Sequence, residues 1–173
     1  MPVKQEELWT PQPHPGLYLV TTNSSINRNG ELVMGRGAAL QATKRIPGIA
    51  KEAAQKILEW RKKSGRHEYL LLIIREPRPL EGRYGFGIFQ VKTIWNAPAD
   101  LHLISTSLNV LRTYAYGRPE LSIRMNYPGI GYGHLSRKAV GTVLEPNLKQ
   151  GIHPAIPKNV TVCFKEETTQ WQN

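Results

Sequence analysis

Short apolar runs alternate along this chain with longer segments in which apolar residues recur at helical spacing. Strand-like runs cover 17–20, 69–74, 87–91, 121–125 and 160–164. Helix-like segments cover 38–45, 49–63, 101–111 and 136–144. This alternation predicts an α/β fold in which a mostly parallel sheet is covered by helices on both faces. The loops that bind ligands in such folds lie at the carboxyl ends of the strands.

Local signals sharpen the bounds of these helices. Gly65 is expected to end the second helix, Asp100 to cap the third and Ser136 to cap the fourth. In the second helix, the spacing of apolar residues predicts one buried face, and charged residues occupy the opposite face. The predicted buried face consists of Ala50, Ala53, Ala54, Ile57 and Leu58.

Two glycine-rich segments each follow a strand-like run and precede a helix-like one. The first, 23–37, reads NSSINRNGELVMGRG, and the second, 127–135, reads YPGIGYGHL. Glycine allows positive φ, so backbone N–H groups can approach an anion without a Cβ in the way. Either segment alone could be a plain connector, because glycine is common in turns. Two such segments in one chain favour a clamp on a diphosphate.

The sequence around these loops resembles the macro domain, a family that binds ADP-ribose. The resemblance rests on Asn23, on VMGRGAALQ at 33–41 with KRIP at 44–47, and on PGIGYGHL at 128–135 with Val140 behind it. Within the family, the chain is similar to the branch that contains terminal ADP-ribose glycohydrolase and the DNA ADP-ribosyl glycohydrolase antitoxins. That branch has an MGKGIALQFKK-type first loop and a lysine after a central strand; Met34 to Leu40 and Lys92, in FQVKTIW, match it.

The resemblance implies a three-layer α/β/α macro domain. It runs over 6–164, and 1–173 is therefore predicted to be a single macro domain. The termini, through Pro15 and after Glu166, are expected to be extended or loosely packed.

The resemblance also implies a site for ADP-ribose. Backbone amides of 35–38 and 131–135 would hold the diphosphate, helped by the helices that begin beyond them, and the distal ribose would lie between Asn23 and Lys92. Asn23 can donate to and accept from sugar hydroxyls, although a turn-forming role after the strand remains open. The predicted ligand-binding residues are Glu7, Leu8, Asn23, Met34, Gly35, Arg36, Gly37, Ala38, Gly129, Gly131, Tyr132, Gly133, His134 and Leu135.

In the related glycohydrolases a lysine at the position of Lys92 is catalytic, so the resemblance makes Lys92, with Asn23, the candidate catalytic pair. Cleavage at an anomeric carbon passes through an oxocarbenium-like state. A lysine whose pKa is lowered by burial exposes a free amine that can attack that carbon or assist the leaving group. Judged by composition alone, Lys92 would be an ordinary solvated lysine.

Two positions depart from the family pattern. Terminal ADP-ribose glycohydrolase has an aspartate in the second loop, and this chain has Gly133 at the matching position. The DNA-directed antitoxins lack this aspartate as well. A two-carboxylate mechanism is therefore not expected. Where macro domains carry an aspartate that contacts adenine, this chain has Glu7, which is either a substitute acceptor or a solvated side chain.

These features predict an enzyme that binds ADP-ribose and removes it from a modified target, with a nucleic-acid base among the possible targets. Two alternatives stay open: a non-catalytic reader of ADP-ribosylated partners, and a hydrolase of free ADP-ribose derivatives. The reader and the enzyme would use the same loops, so the sequence separates these two only through Lys92 and its surroundings.

Charge bears on the target. There are 23 Lys and Arg against 13 Asp and Glu, a formal net charge of +10, which attracts polyanions. The basic residues are scattered in small groups such as 61–63, so a solvated cationic surface explains them equally well. Trp95, close behind Lys92, could stack on a nucleobase or pack against the following helix.

The cysteine, apolar and histidine positions argue against a disulfide, a membrane span and a metal site. A single cysteine, Cys163, falls within a strand-like run and is predicted to be a buried, reduced side chain. The single cysteine favours a reducing, cytoplasmic setting, and we expect a monomer. No run is long and apolar enough for a membrane span. No metal or cofactor is expected, because no paired spacing of zinc-site type occurs among His14, His67, His102, His134 and His153.

Overall fold

A computed structural model describes residues 3–144 and 157–165 of the chain. The strands are β1 Val3–Gln5, β2 Leu17–Thr22, β3 Leu71–Arg75, β4 Gly85–Gln90, β5 Ile123–Asn126 and β6 Val160–Phe164. The helices are α1 Gly37–Arg45, α2 Ile49–Ser64, α3 Leu101–Tyr116 and α4 Arg137–Leu144. Single 3-10 turns cover Pro79–Glu81 and Gly131–Gly133.

The six strands form one sheet in the order β1-β6-β5-β2-β4-β3. Only β3 and β4 pair antiparallel; the other neighbouring pairs are parallel, which confirms the predicted mostly parallel sheet. β2 and β4 lie side by side in the interior of the sheet, and every residue of β4 is buried. Parallel strands bring their carboxyl ends to one edge, so the segments after β2, β4 and β5 meet there.

A separate apolar core lies on each face of the sheet. On one face, Leu108 and Leu111 of α3 and Val140 of α4 pack against the strands. On the other, Ala42 of α1 and Ile57 of α2 do so. Two helices on each face give the three-layer α/β/α arrangement predicted from the alternation of elements.

The predicted helix ends are confirmed. Gly65 follows α2 with φ 69°, the left-handed conformation that favours glycine. The Asp100 side chain accepts from the N–H of Leu103 at 3.0 Å at the start of α3. The Ser136 hydroxyl accepts from the N–H of Ala139 at 3.1 Å at the start of α4. Cys163 is also buried as predicted.

The prediction for Leu58 is wrong, since its side chain is 51% exposed. Residues of a helix are offset by about 100° each. The buried face of α2 is centred on Ala53 and Ile57, with the small Ala54 at its edge. Leu58 lies beyond that edge and projects toward solvent.

No strand was predicted before Leu17, but β1 pairs parallel with β6, with Val3 opposite Val162. The segment that follows β1 is also held, because the buried guanidinium of Arg124 contacts the Glu6 carboxylate at 3.0 Å and two backbone carbonyls. A three-residue edge strand is too short to show a hydrophobic pattern, which explains the omission. Residues after Glu166 lie outside the described part of the chain.

Candidate functional site

A cleft of about 430 Å³ opens at the carboxyl ends of β2, β4 and β5. Both glycine-rich loops, Asn23 and Lys92 contribute to its wall, as the fold requires if segments after parallel strands converge. The cleft is lined by Thr21, Thr22, Asn23, Val33, Met34, Gly35, Arg36, Gly37, Ala38, Ala39, Val91, Lys92, Trp95, Asn96, Asn126, Gly129, Ile130, Tyr132, Gly133 and His134.

The first loop presents the start of α1 to the cleft. Arg36 is the N-cap, and no side chain caps this helix end. α3 and α4 differ, because Asp100 and Ser136 accept from their first-turn amides. Gly37 has φ 57°, a conformation that L side chains rarely adopt. The first N–H groups of α1 have no acceptor within the helix, so they and the helix dipole favour an anion here.

The second loop uses much of its hydrogen-bonding capacity internally. Within it, Gly133 N–H donates to Ile130 O at 3.3 Å, His134 N–H to Gly131 O at 2.9 Å and Leu135 N–H to Gly129 O at 3.0 Å. The prediction that all amides of 131–135 face the diphosphate therefore needs correction. These bonds close a tight 3-10 turn, and among the described residues only the N–H groups of Gly131 and Tyr132 in that range lack such a bond.

Lys92 lies two residues beyond β4 and lines the cleft. Its ammonium donates to the carbonyl of Ala97 at 2.9 Å and to the carbonyl of Tyr132, in the second loop, at 3.4 Å. Burial lowers the pKa of the Lys92 amine below its usual value, and the positive charge of Arg36 lowers it further. More of this lysine than of a solvated one is therefore the free amine at neutral pH.

Asn23 is 6% exposed, and the turn-forming role considered for it is present in the structure. Its side-chain N–H donates to the carbonyl of Val33 at 2.8 Å, and its Oδ1 accepts from the N–H of Ser25 at 2.8 Å. The second bond is the turn-forming contact, whereas the first ties the strand end to the glycine loop. A primary amide has a further hydrogen and a further lone pair, so Asn23 keeps capacity for a ligand.

The charged side chains that line the cleft are positive. Among the described residues that line it, Arg36 and Lys92 are formally charged and no carboxylate is present. The Arg36 guanidinium lies 4.8 Å from the centre of the Tyr132 ring and so joins the two loops across the cleft. This electrostatic environment favours a polyanionic ligand.

The aromatic rings at the mouth are solvent-accessible. Tyr132 is 56% exposed and Trp95 is 54% exposed, and both line the cleft. Of the two interpretations of Trp95, packing against the following helix does not account for this exposure. The ring instead offers a face beside the opening. His134 also lines the cleft, is exposed and has φ 60°.

Four predicted ligand-binding residues do not line the cleft: Glu7, Leu8, Gly131 and Leu135. Glu7 pairs through its carboxylate with Lys165. Leu8 is 5% exposed and packs in the core beneath α1 and α2. Leu135 packs against the opposite core. The predicted contact between Glu7 and an adenine amine is therefore not supported by the position of its side chain in this structure.

Sequence reasoning missed polar residues that do line the cleft. Asn126, the last residue of β5, accepts from the N–H of Thr21 at 2.9 Å and donates to the Thr21 hydroxyl at 2.7 Å. Like Asn23, it is an asparagine at a strand end, and that signal could have identified it. The other missed polar residues are Thr21, Thr22 and Asn96.

In 3–144 and 157–165, no three His, Cys, Asp or Glu side chains lie close enough to hold a metal ion. His153, considered above, lies outside those ranges. None of the helices described is both long and apolar enough to cross a bilayer.

Comparison of the sequence with family models and with curated proteins finds no match. Solved structures do match. The macrodomain of Mycobacterium tuberculosis DarG has a TM-score of 0.64 at 20% identity, with 94% of this chain and 95% of that chain covered. The macrodomain of Thermus aquaticus DarG has a TM-score of 0.60 at 20% identity, with 95% and 96% covered.

A third match is Thermosipho africanus DarTG in complex with ADP-ribose, with a TM-score of 0.62 at 18% identity. The alignment covers 86% of this chain but 38% of that longer one. This chain therefore has a macrodomain fold similar to that of DarG macrodomains. The resemblance recognised in the sequence is confirmed at the level of the fold.

Proposed function

We propose that this protein binds ADP-ribose in the cleft and hydrolyses the bond between ADP-ribose and a modified target, with a nucleic-acid base as the target to test first. The fold supports the binding half of the proposal, because a DarTG of similar fold was solved in complex with ADP-ribose. The hydrolytic half rests on Lys92 and its surroundings.

One observation carries the proposal: an uncapped helix end and the side chains of Arg36 and Lys92 face one cleft that no described carboxylate lines. The diphosphate of ADP-ribose carries negative charge that this arrangement would stabilise. Tyr132 and Asn23 would lie near the sugar, and Trp95 at the mouth would contact the group attached to it.

The chemistry follows from which side chains are available. Hydrolysis breaks the bond between the anomeric carbon and the target, whose atom leaves with the electron pair. Oxygen from water ends on that carbon, and a proton from the water ends on the target. Glycosidases of the two-carboxylate type supply an acid and a base from paired carboxylates. The residues described around this cleft offer instead a lysine with a lowered pKa. Its amine can relay the proton, or it can attack the anomeric carbon as the target leaves, after which water breaks the lysine–carbon bond and restores the amine.

The deciding experiment compares three substrates in parallel: an ADP-ribosylated DNA oligonucleotide, an ADP-ribosylated protein and an ADP-ribose 1″-phosphate ester. We expect release of ADP-ribose from the oligonucleotide. Binding of free ADP-ribose without release from any substrate would establish a reader. Turnover of the phosphate ester alone would establish a hydrolase of free derivatives, and absence of ADP-ribose binding would refute the whole proposal.

Salt dependence tests whether the target is nucleic acid. If the cationic surface contacts a polynucleotide, affinity for an unmodified oligonucleotide should fall steeply with added salt because counterions are released. Affinity for free ADP-ribose, held mainly by backbone amides, should respond much less. Fluorescence anisotropy over a salt series separates the two. No oligonucleotide binding at low salt would favour a protein or small-molecule target.

A further inference from the structure

A buried polar network lies directly beneath the cleft. Tyr69 is 2% exposed, and its hydroxyl donates to the carbonyl of Asn23 at 3.0 Å while it also contacts the hydroxyl of Thr22. Burial raises the pKa of the Tyr69 hydroxyl far above its usual value. The hydroxyl therefore stays protonated at physiological pH and remains a donor to the strand end that carries Asn23.

Gln90, the last residue of β4, continues the network and is fully buried. Its Oε1 accepts from the N–H groups of Tyr69 at 2.8 Å and Leu70 at 3.1 Å. Its Nε2 donates to the carbonyl of Lys92 at 3.4 Å. Leu70 has φ 62°, an unusual conformation for a leucine. The Gln90 side chain therefore both supports a strained turn at Leu70 and holds the backbone of Lys92.

The contacts form a continuous path from Asn23 through Tyr69 and Gln90 to Lys92. We propose that Tyr69 and Gln90 are positioning residues that fix Asn23 and Lys92 relative to each other. The inference rests on the proposed function, because it assigns both residues to the reaction carried out at Lys92. Neither Tyr69 nor Gln90 lines the cleft, so they act through the residues that do.

The choice of polar side chains at these positions supports a positioning role over simple filling of the core. A buried polar group costs free energy unless it is hydrogen-bonded, and an apolar side chain of similar volume fills space without that cost. Here every polar atom of the Gln90 amide has a partner. Hydrogen bonds are directional, so they fix the position of a strand end more narrowly than apolar packing does.

The test uses Tyr69→Phe and Gln90→Met, which keep volume but remove the hydrogen bonds. Asn159→Ala is the matched control. It removes an amide that donates to the carbonyls of Ala115, Arg118 and Leu121 at the opposite end of β5 and β6. We expect both test variants to lower kcat by roughly ten- to a hundredfold with the affinity for ADP-ribose nearly unchanged, because small displacements of reacting groups slow chemistry. Asn159→Ala should lower Tm with kcat unchanged.

A second measurement does not depend on turnover. The rate at which Lys92 reacts with an amine-directed reagent such as trinitrobenzenesulfonate, followed by peptide mapping across a pH series, reports the titration of its amine. In Gln90→Met the pKa of Lys92 should move up toward that of a solvated lysine, because its desolvated position is lost. It should not move in Asn159→Ala.

The outcomes separate the two proposals. A parent protein without turnover refutes hydrolysis, but the Lys92 titration still decides whether Gln90 positions it. If the test variants lose stability as Asn159→Ala does, with kcat and the Lys92 titration unchanged, Tyr69 and Gln90 are only structural and the inference is wrong.

Discussion

The two glycine-rich loops face the same cleft but use their backbone amides differently. In the first loop, α1 begins without a side-chain cap, and a Cβ built at Gly35 or Gly37 would meet no atom within 4 Å. In the second loop, three successive N–H groups donate to carbonyls of the same loop. A Cβ at Gly129 would lie 2.7 Å from a side-chain carbon of Ile104.

The difference indicates a division of labour between loops that look alike in sequence. The first leaves donors unpaired at its surface, which suits capture of an anion. The second is a self-bonded turn anchored on the core, which suits holding Tyr132 and its carbonyl against Lys92. A glycine therefore leaves open space beside the cleft in the first loop and permits close packing in the second.

The largest effect is expected for Lys92→Ala, which removes the side chain that contacts the second loop and leaves the first loop intact. Turnover should fall by roughly a hundred- to ten-thousandfold, the range for loss of a group that transfers a proton or attacks. Affinity for ADP-ribose should stay within about tenfold, because a loss confined to the transition state changes rate more than binding.

For Lys92→Ala, quenched time-course assays measure turnover, and calorimetry on the same preparation measures the affinity for ADP-ribose. Lys138→Ala, on the exposed start of α4, is the control. A Lys92→Ala variant as fast as the parent would remove Lys92 from the mechanism and direct attention to Asn23 and His134.

The next largest effect is expected for Gly37→Val in the first loop. Strain at positive φ and the new side chain should disrupt one or two hydrogen bonds to the diphosphate, at about 3 kcal/mol, roughly a hundredfold in affinity. Calorimetric titration of folded protein measures the loss. Gly30→Val is the matched control, since that glycine also has a positive φ and open space but does not line the cleft. Equal affinity of Gly37→Val and parent would show that the first loop is not the clamp.

A third substitution, in the second loop, should lower the stability of the fold, whereas Gly37→Val should lower the affinity for ADP-ribose. Gly129→Val should destabilise the fold by about 2–4 kcal/mol, because it combines overpacking with a left-handed backbone position. Gly129 has φ 75° and lies close to Ile104 and Leu135. Chemical denaturation measures the loss. If Gly129→Val is as stable as Gly37→Val but fails to bind, the division of labour between the loops is wrong.

The smallest effect is expected on the pH dependence of kcat, when Arg36 of the first loop is substituted. If the free amine of Lys92 is the active form, kcat should rise with pH toward the pKa of Lys92, which lies below that of an ordinary lysine. The charge of Arg36 contributes to that lowering, so Arg36→Gln should raise the pKa and move the rise to higher pH, whereas Arg36→Lys should not. An unchanged profile in Arg36→Gln would show that Arg36 does not tune the amine.

Sequence patterns were sufficient to predict the fold where elements were long or had clear end signals. The bounds of α2 and β4 and the start of α3 were predicted closely, because helical spacing, Gly65 and Asp100 act locally. α3 continues to Tyr116, past the predicted end at Leu111. β1 was missed because three exposed residues carry no pattern, and its pairing with β6 depends on a distant strand. Leu58 was misassigned because the width of a buried face depends on what packs against it.

The order of elements along the chain predicts which residues can approach one another at the cleft, because Asn23, Lys92 and both glycine loops follow strands and parallel strands end at one edge. Which groups are available there depends on the folded structure. Whether an amide is free, as at the start of α1, or used internally, as at His134, depends on loop geometry. The pKa of Lys92 depends on burial and on Arg36, which is 56 positions away in the sequence. Hydrogen bonding and electrostatics act through space, and sequence order does not encode those distances.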